Sequence, residues 1–191
     1  MADQATMDIF NAAYETHKVR DIWENSQWGV IAKLGNNDVG KTGEQLIQLW
    51  CDQAGIKAEI DGLKTKGGSG DGLINGKTVE IKTARENSDG SAFQHELGEH
   101  PWKADFMLFL DISPNEMYIT IFPNFSEPEY KEGRKCVPYF PTKKVIWRKG
   151  SGAFKLDTTV KINQDCPNTF RKYGGTSEIT FCDFVNSIIR D

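Results

Sequence analysis

One short segment of the chain limits its possible folds more than any other. Asn75-Gly76 separates the short run 71–74 from the run 77–83, in which apolar and polar residues alternate. Both central positions of a type I′ turn require positive φ angles, and Asn and Gly tolerate these angles best. The dipeptide therefore predicts a two-residue turn between two antiparallel strands.

The predicted hairpin brings three charged side chains to one place. Asp71 lies opposite Glu80, and directly opposed residues have Cβ atoms about 5 Å apart. Lys82 shares the face of Glu80, whereas Val79 and Ile81 face a core. Two adjacent carboxylates repel each other, and a divalent cation commonly offsets that cost. We therefore expect a catalytic Mg²⁺ site formed by Asp71, Glu80 and the main-chain carbonyl of Ile81, with Lys82 beside the attacking water. The alternative is a surface hairpin with solvated charges.

This arrangement resembles the PD-(D/E)XK nuclease superfamily, whose signature is an acidic residue on one strand and Glu-x-Lys on the next. Gly70 stands where the signature has Pro. The resemblance covers roughly residues 28–122 and is closest to type II restriction endonucleases, with some similarity to the mismatch-repair nicking endonuclease. It implies an α/β (α+β) fold with a restriction-endonuclease-like core, in which helices flank a mixed central β-sheet. Members usually add a Glu from a preceding helix, and Glu44 matches that position as a further catalytic and metal-contacting residue.

The resemblance also implies an activity and its partners. It implies an Mg²⁺-dependent enzyme, with Mn²⁺ as a substitute, that cuts double-stranded DNA at a specific sequence and leaves 5′-phosphate and 3′-hydroxyl ends. A cognate DNA methyltransferase is the expected companion. One metal cluster cuts one strand, so a homodimer is expected as well. The alternatives are a repair or recombination nuclease, a nicking subunit and a non-catalytic DNA-binding module.

A second motif competes with this interpretation. The run from Gly35 to Thr42 satisfies the phosphate-binding pattern G-x-x-x-x-G-K-[ST], between a possible strand at 28–34 and a possible helix. Its usual companions are missing from the sequence, because no second strand ends in an Asp for magnesium and antiparallel hairpins follow. A P-loop nucleotide hydrolase is therefore a further alternative.

The distribution of charge favours a nucleic-acid partner. The 191-residue chain carries a net charge of −4, yet residues 131–172 carry +8 and the remainder −12. Cations that neutralise phosphates supply most non-specific DNA affinity. We therefore expect a nuclease core with an N-terminal helix at 1–127 and a basic, β-rich DNA-recognition subregion at 128–191, within one compact domain. The expected DNA contacts are His95, Lys103, Arg134, Lys143, Lys144, Arg148, Lys149, Arg171 and Lys172, with Arg148 and Arg171 the best suited to read guanine.

Composition and local patterns complete the expectations. No apolar run approaches the roughly 20 residues that cross a bilayer, and the N-terminus lacks the pattern of a signal peptide, so a cytoplasmic protein is expected. The four cysteines form no Cys-x-x-Cys pair and indicate neither zinc nor disulfides. The segment 85–100 is polar and turn-rich. The expected helices are 5–24, 43–54 and one after Thr180, and the expected strands besides the hairpin are 57–60, 105–112, 116–122, 144–148, 153–156 and 158–162.

Overall fold

The computed structural model describes residues 3–17, 21–60, 70–90, 92–98, 103–123, 135–136, 144–147, 154–158, 164 and 166–190. The helices are α1 (Gln4–His17), α2 (Asn36–Ala54) and α3 (Phe181–Ile188), with a 3₁₀ helix at Gly29–Lys33. The strands are β1 (Ala58–Ile60), β2 (Gly72–Ile74), β3 (Lys77–Arg85), β4 (Phe93–Gly98), β5 (Phe106–Ile112), β6 (Met117–Pro123), β7 (Lys135–Cys136), β8 (Lys144–Trp147), β9 (Phe154–Thr158) and β10 (Thr169–Tyr173).

These strands form two sheets. The first has the order β1-β2-β3-β5-β6-β10, and the second has the order β4-β9-β8-β7. Strands β3 and β5 are parallel, whereas the other neighbours are antiparallel. The expected mixed central sheet flanked by helices is therefore confirmed, and it has six strands within the described residues.

The hairpin between β2 and β3 has the predicted register. Ile74 pairs with Lys77, and the ladder continues to the pair Gly72 and Val79. Asn75 and Gly76 have φ angles of 48° and 72°, the positive values that the type I′ turn requires. The local sequence fixes this register, because a two-residue loop leaves the strands no freedom to slide.

Helix α2 covers one face of the first sheet. Its residues Val39, Ile47 and Trp50 are buried in one cluster with Val79 and Ile81 of β3. The helix ends at Gly55, which adopts a φ of 68°. The Ile56 N–H then donates to the Cys51 carbonyl at 2.9 Å, an arrangement that satisfies a carbonyl of the last turn. This helix starts seven residues earlier than the sequence predicts.

The second sheet packs on the opposite face of the first. In β5, Phe109 and Asp111 pair with Lys82 and Ala84, so they share the face opposite to Val79 and Ile81. His95 of β4 reaches this face, with Nε2 at 2.6 Å from Asp111 Oδ1 and its ring 4.8 Å from that of Phe109. A buried polar pair thus connects the two sheets.

Several elements differ from the predictions. Helix α1 ends at His17 instead of residue 24, and the segment 85–100 contains β4. Strand β10 was not predicted, and the predicted strand 158–162 lies outside the described residues after Thr158. Because β4 pairs with β9 and β10 pairs with β6, both sheets contain strands from each side of the expected boundary at 127/128.

Candidate active site

Asp71 is held at the edge of β3 by main-chain contacts. Its N–H donates to the Val79 carbonyl at 2.8 Å, and its carboxylate accepts the Ile81 N–H at 2.7 Å. The preceding Gly70 has a φ of 107°, and a Cβ there would overlap the Val79 carbonyl oxygen. Glycine is therefore required where the superfamily signature has Pro, because proline fixes φ near −65°.

Glu80 and Lys82 lie on one face of β3, as the alternation predicts. Their side chains form an ion pair and are 24% and 21% exposed, respectively. Burial of Asp71, and then the charge of Glu80, raise the pKa of the Asp71 carboxyl; the Ile81 N–H and the charge of Lys82 oppose this shift. The structure thus brings Asp71, Glu80 and Lys82 together, and the two carboxylates interact unfavourably.

Glu44 comes from α2, which approaches β3 unusually closely. Gly43 faces Thr83, and a Cβ at Gly43 would overlap Thr83 Oγ1 and lie 2.7 Å from Thr83 Cβ. Only a residue without a side chain permits this approach. The contact places Glu44, the next residue along the helix, at the same cleft as Asp71 and Lys82.

The cleft follows the open edge of β3. Among the described residues, β2 pairs with β3 only as far as Val79, and β4 touches the extension of β3 through the single bridge Glu86–Phe93 before it joins β9. The space left between α2, the edge of β3 and β4 is an open cleft of about 620 Å³. In a strand, the N–H and C=O of one residue point to the same side, so the Ile81 carbonyl shares the side on which its N–H meets Asp71.

Other polar residues in the cleft were not predicted as site residues. They are Asn36, Asn37, Lys41, Thr83, Arg85, Asn87, Gln94 and Glu96. The alternation in Phe93-Gln94-His95-Glu96-Leu97 is the signal that could have identified the last two, because it is typical of a strand with one buried face. Phe93, His95 and Leu97 are indeed buried, whereas Gln94 and Glu96 are exposed.

The donors at the cleft are suited to magnesium. Within the described residues, no group of three or more His, Cys, Asp or Glu side chains is placed to hold a metal ion. Mg²⁺ does not need such a cage, since it usually keeps several waters and uses one or two carboxylates. Asp71 and Glu80 are two such carboxylates; burial, and then the charge of Glu80, raises the pKa of the Asp71 carboxyl. With the Ile81 carbonyl they make a donor set of hard oxygens that fits the ion.

The expected DNA contact of His95 requires a correction. The residue is 1% exposed, and its ring lies against Phe109 and Asp111 between the two sheets. Its Nδ1 is buried with no hydrogen-bond partner in the part of the chain that the structure describes. A ring in this position cannot reach a phosphate or a base, and we leave His95 out of the DNA-contacting surface.

Arg171 and Lys172 lie away from the cleft. Both are in β10, which β5 and β6 separate from β3, a distance of about 14 Å at 4.8 Å per strand. Arg171 lies over the Tyr118 ring and 3.7 Å from Glu116. Lys172 Nζ lies 5.3 Å from the centre of the Trp50 ring. Both cations pack against aromatic rings, so neither is placed beside Asp71 and Glu80.

The remaining expected DNA contacts are only partly described. Lys103 is exposed just before β5 and does not line the cleft. Lys144 lies in β8, but its side chain lies outside the described residues. The other four lie entirely outside them: Arg134, Lys143, Arg148 and Lys149.

The phosphate-binding motif does not form a loop. Gly35 is the N-cap of α2, and Gly40, Lys41 and Thr42 lie inside the helix. Thr42 Oγ1 donates to the Asp38 carbonyl at 2.7 Å, a bond within the helix. The expected strand before the motif is the 3₁₀ helix instead. The nucleotide-binding alternative lacks the loop that would surround a phosphate.

No helix among the described residues is long and apolar enough to cross a membrane. Comparison with protein-family models, curated proteins and solved structures gives no significant match.

Proposed function

We propose that this protein is an Mg²⁺-dependent DNA endonuclease of the PD-(D/E)XK type, which cuts double-stranded DNA at a specific sequence. The observation that carries the proposal is the convergence of Asp71, Glu80 and Lys82 at the open edge of β3. Asp71 and Glu80 repel each other at a solvent-accessible cleft, and a bound cation would relieve that repulsion. The excess of positive charge in residues 131–172 supports a polyanionic substrate.

Hydrolysis of a phosphodiester requires a positioned water and neutralisation of the charge that builds up on the phosphate. Asp71, Glu80 and the Ile81 carbonyl would hold Mg²⁺. When bound, the ion supplies charge neutralisation and lowers the pKa of water. Lys82 would orient the attacking water and stabilise the negative charge of the transition state. Glu44 would hydrogen-bond water from the α2 side of the cleft.

Plasmid cleavage with and without Mg²⁺ tests this proposal. We expect discrete linear fragments that require the metal. Asp71→Asn and Glu80→Gln should abolish cleavage yet retain DNA binding, because each removes a metal ligand and also a charge that repels phosphate. Lys82→Ala should reduce the cleavage rate about a hundredfold or more.

Matched controls separate the site from general effects of charge. Lys77→Ala removes a lysine from the same strand outside the cleft, and Glu59→Gln removes an exposed carboxylate from β1. Both variants should cleave as the wild type does. A smear of products would indicate a nuclease without strict sequence choice, and DNA binding without cleavage would indicate a binding module. Wild-type cleavage by Asp71→Asn would refute the site.

A further inference from the structure

Three cations line the cleft in the described part of the chain, and two of them are engaged by protein groups. Lys82 forms its ion pair with Glu80. Arg85 Nη1 donates to the carbonyls of Ile31 and Leu34, at 2.6 Å each, and so holds the end of the 3₁₀ helix. Lys41 is exposed, and among the described residues it has no ion-pair or hydrogen-bond partner.

The position of Lys41 is set by the same helix that carries Glu44. Residues three apart on an α-helix share a face, so Lys41 and Glu44 both face the cleft. The close packing of Gly43 on Thr83 fixes this face of α2 relative to β3. Lys41 therefore extends from the α2 side of the cleft, whereas Lys82 belongs to β3.

A DNA strand in this cleft would meet several carboxylates. Glu44, Asp71 and Glu96 line the cleft, and Glu80 adjoins it. Bound metal would offset the negative charge of Asp71 and Glu80. It would not neutralise the negative charge of a phosphate further along the DNA strand. Another cation is needed there, because phosphates are attracted to Lys and Arg and repelled by carboxylates.

We propose that Lys41 binds the DNA phosphate next to the scissile one and so holds the strand along the edge of β3. The inference rests on the proposed nuclease function and adds a substrate-binding residue to it. Lysine suits this role because its ammonium is a compact charge on a flexible stem and can follow a phosphate without fixed geometry.

The test measures binding separately from cleavage. In the inactive Glu80→Gln background, the affinity for a duplex that contains the cleavage site is measured by fluorescence anisotropy over a range of salt concentrations. Lys41→Ala should weaken binding about tenfold. It should also reduce the salt slope of log K by about 0.9, the value for one lost phosphate contact. Lys41→Arg keeps the charge and should retain the wild-type slope.

A matched lysine and the cleavage kinetics complete the design. Lys57 is exposed in the loop after α2, outside the cleft, and Lys57→Ala should leave affinity and slope unchanged. In otherwise wild-type protein, Lys41→Ala should raise KM more than it lowers kcat, because the contact is to a phosphate that does not react. An unchanged salt slope and KM would overturn the role of Lys41 and leave the nuclease proposal intact. Absence of Mg²⁺-dependent cleavage by the wild type would overturn the nuclease proposal instead.

Discussion

At the residue scale, the environment of Asp71 disfavours the charged form of its carboxyl group. Its carboxylate accepts the Ile81 N–H but is partly buried beside Glu80. Burial, followed by the charge of Glu80, raises the pKa of the Asp71 carboxyl above its ordinary value. Groups that bind ligands are often destabilising in their absence, because they are placed for the ligand and not for the fold.

The substitution Asp71→Asn tests this cost. The amide oxygen can still accept the Ile81 N–H, but the charge is gone, so Tm without divalent cations should rise at about pH 8. Since the folded pKa lies above the unfolded one, the cost of the charge is present above the folded pKa and is lost as the pH falls through it. The gain in Tm should therefore shrink toward about pH 4.

Addition of Mg²⁺ should reverse the order of the Tm values of the wild type and Asp71→Asn. A ligand at a hundred times its Kd stabilises the folded state by about 2.7 kcal/mol. Wild-type Tm should therefore rise with Mg²⁺, whereas that of Asp71→Asn should rise much less. Thermal melts with EDTA and with Mg²⁺ measure both effects, and equal Mg²⁺ shifts in the two proteins would contradict the assignment of Asp71 as a ligand.

At the scale of elements, the site depends on how closely α2 lies on β3. Gly43 and Thr83 meet without room for a side chain, and Thr83 Oγ1 is buried with no partner in the described residues. A buried hydroxyl without a hydrogen-bond partner destabilises the folded state, and the fold keeps the close approach of α2 to β3 despite this cost. The approach brings Lys41 and Glu44 to the edge of β3.

Two glycines of α2 provide a matched test of this packing. Gly43→Ala should destabilise the protein by about 1–3 kcal/mol, because α2 must move away from Thr83. It should also reduce cleavage, since Lys41 and Glu44 move with the helix. Gly40→Ala, which meets no atom within 4 Å, should stabilise the protein by about 0.4–1 kcal/mol. Urea unfolding measures both, and equal effects would refute the role of the contact.

At the scale of the whole molecule, two sheets are packed face to face around the His95–Asp111 pair. Both side chains are fully buried, and the contact between His95 Nε2 and Asp111 Oδ1 joins β4 of the second sheet to β5 of the first. Each sheet contains strands from before residue 127 and strands from after it. The cleft lies where β4 leaves β3 for the second sheet, so the arrangement of the sheets also shapes the site.

At the scale of the whole molecule, we predict the number of subunits that act on DNA. The chain has one set of Asp71, Glu80 and Lys82, and under the proposed function one set would cut one strand of a duplex. We therefore expect a homodimer on DNA, with a two-fold symmetric target. Light scattering of the complex with cognate DNA should report the mass of the duplex plus twice the 21.5 kDa mass of the chain, and a sample without DNA shows whether the dimer forms alone. Linear plasmid should form directly; a monomer that only nicks would contradict the dimer and leave the active site in place.

The sequence by itself determined the parts that local geometry controls. The Asn75-Gly76 turn set the register of β2 and β3, so the positions of Asp71, Glu80 and Lys82 followed from the period of a strand. Strands β5 and β6 and the helix that begins after Thr180 were predictable for the same reason. Thr180 caps α3 by accepting the Asp183 N–H at 3.1 Å, an interaction between residues three apart.

Only the tertiary structure decided which distant residues meet. The burial of His95, the path of β4 into the second sheet and the addition of β10 to the first depend on contacts between residues far apart in the chain. The same holds for the contact of Gly43 with Thr83, which makes the cleft and brings Lys41 into it. The alternation of apolar and polar residues identifies the buried face of a strand but not the neighbouring strand. The neighbouring strand is selected by the packing of complete surfaces.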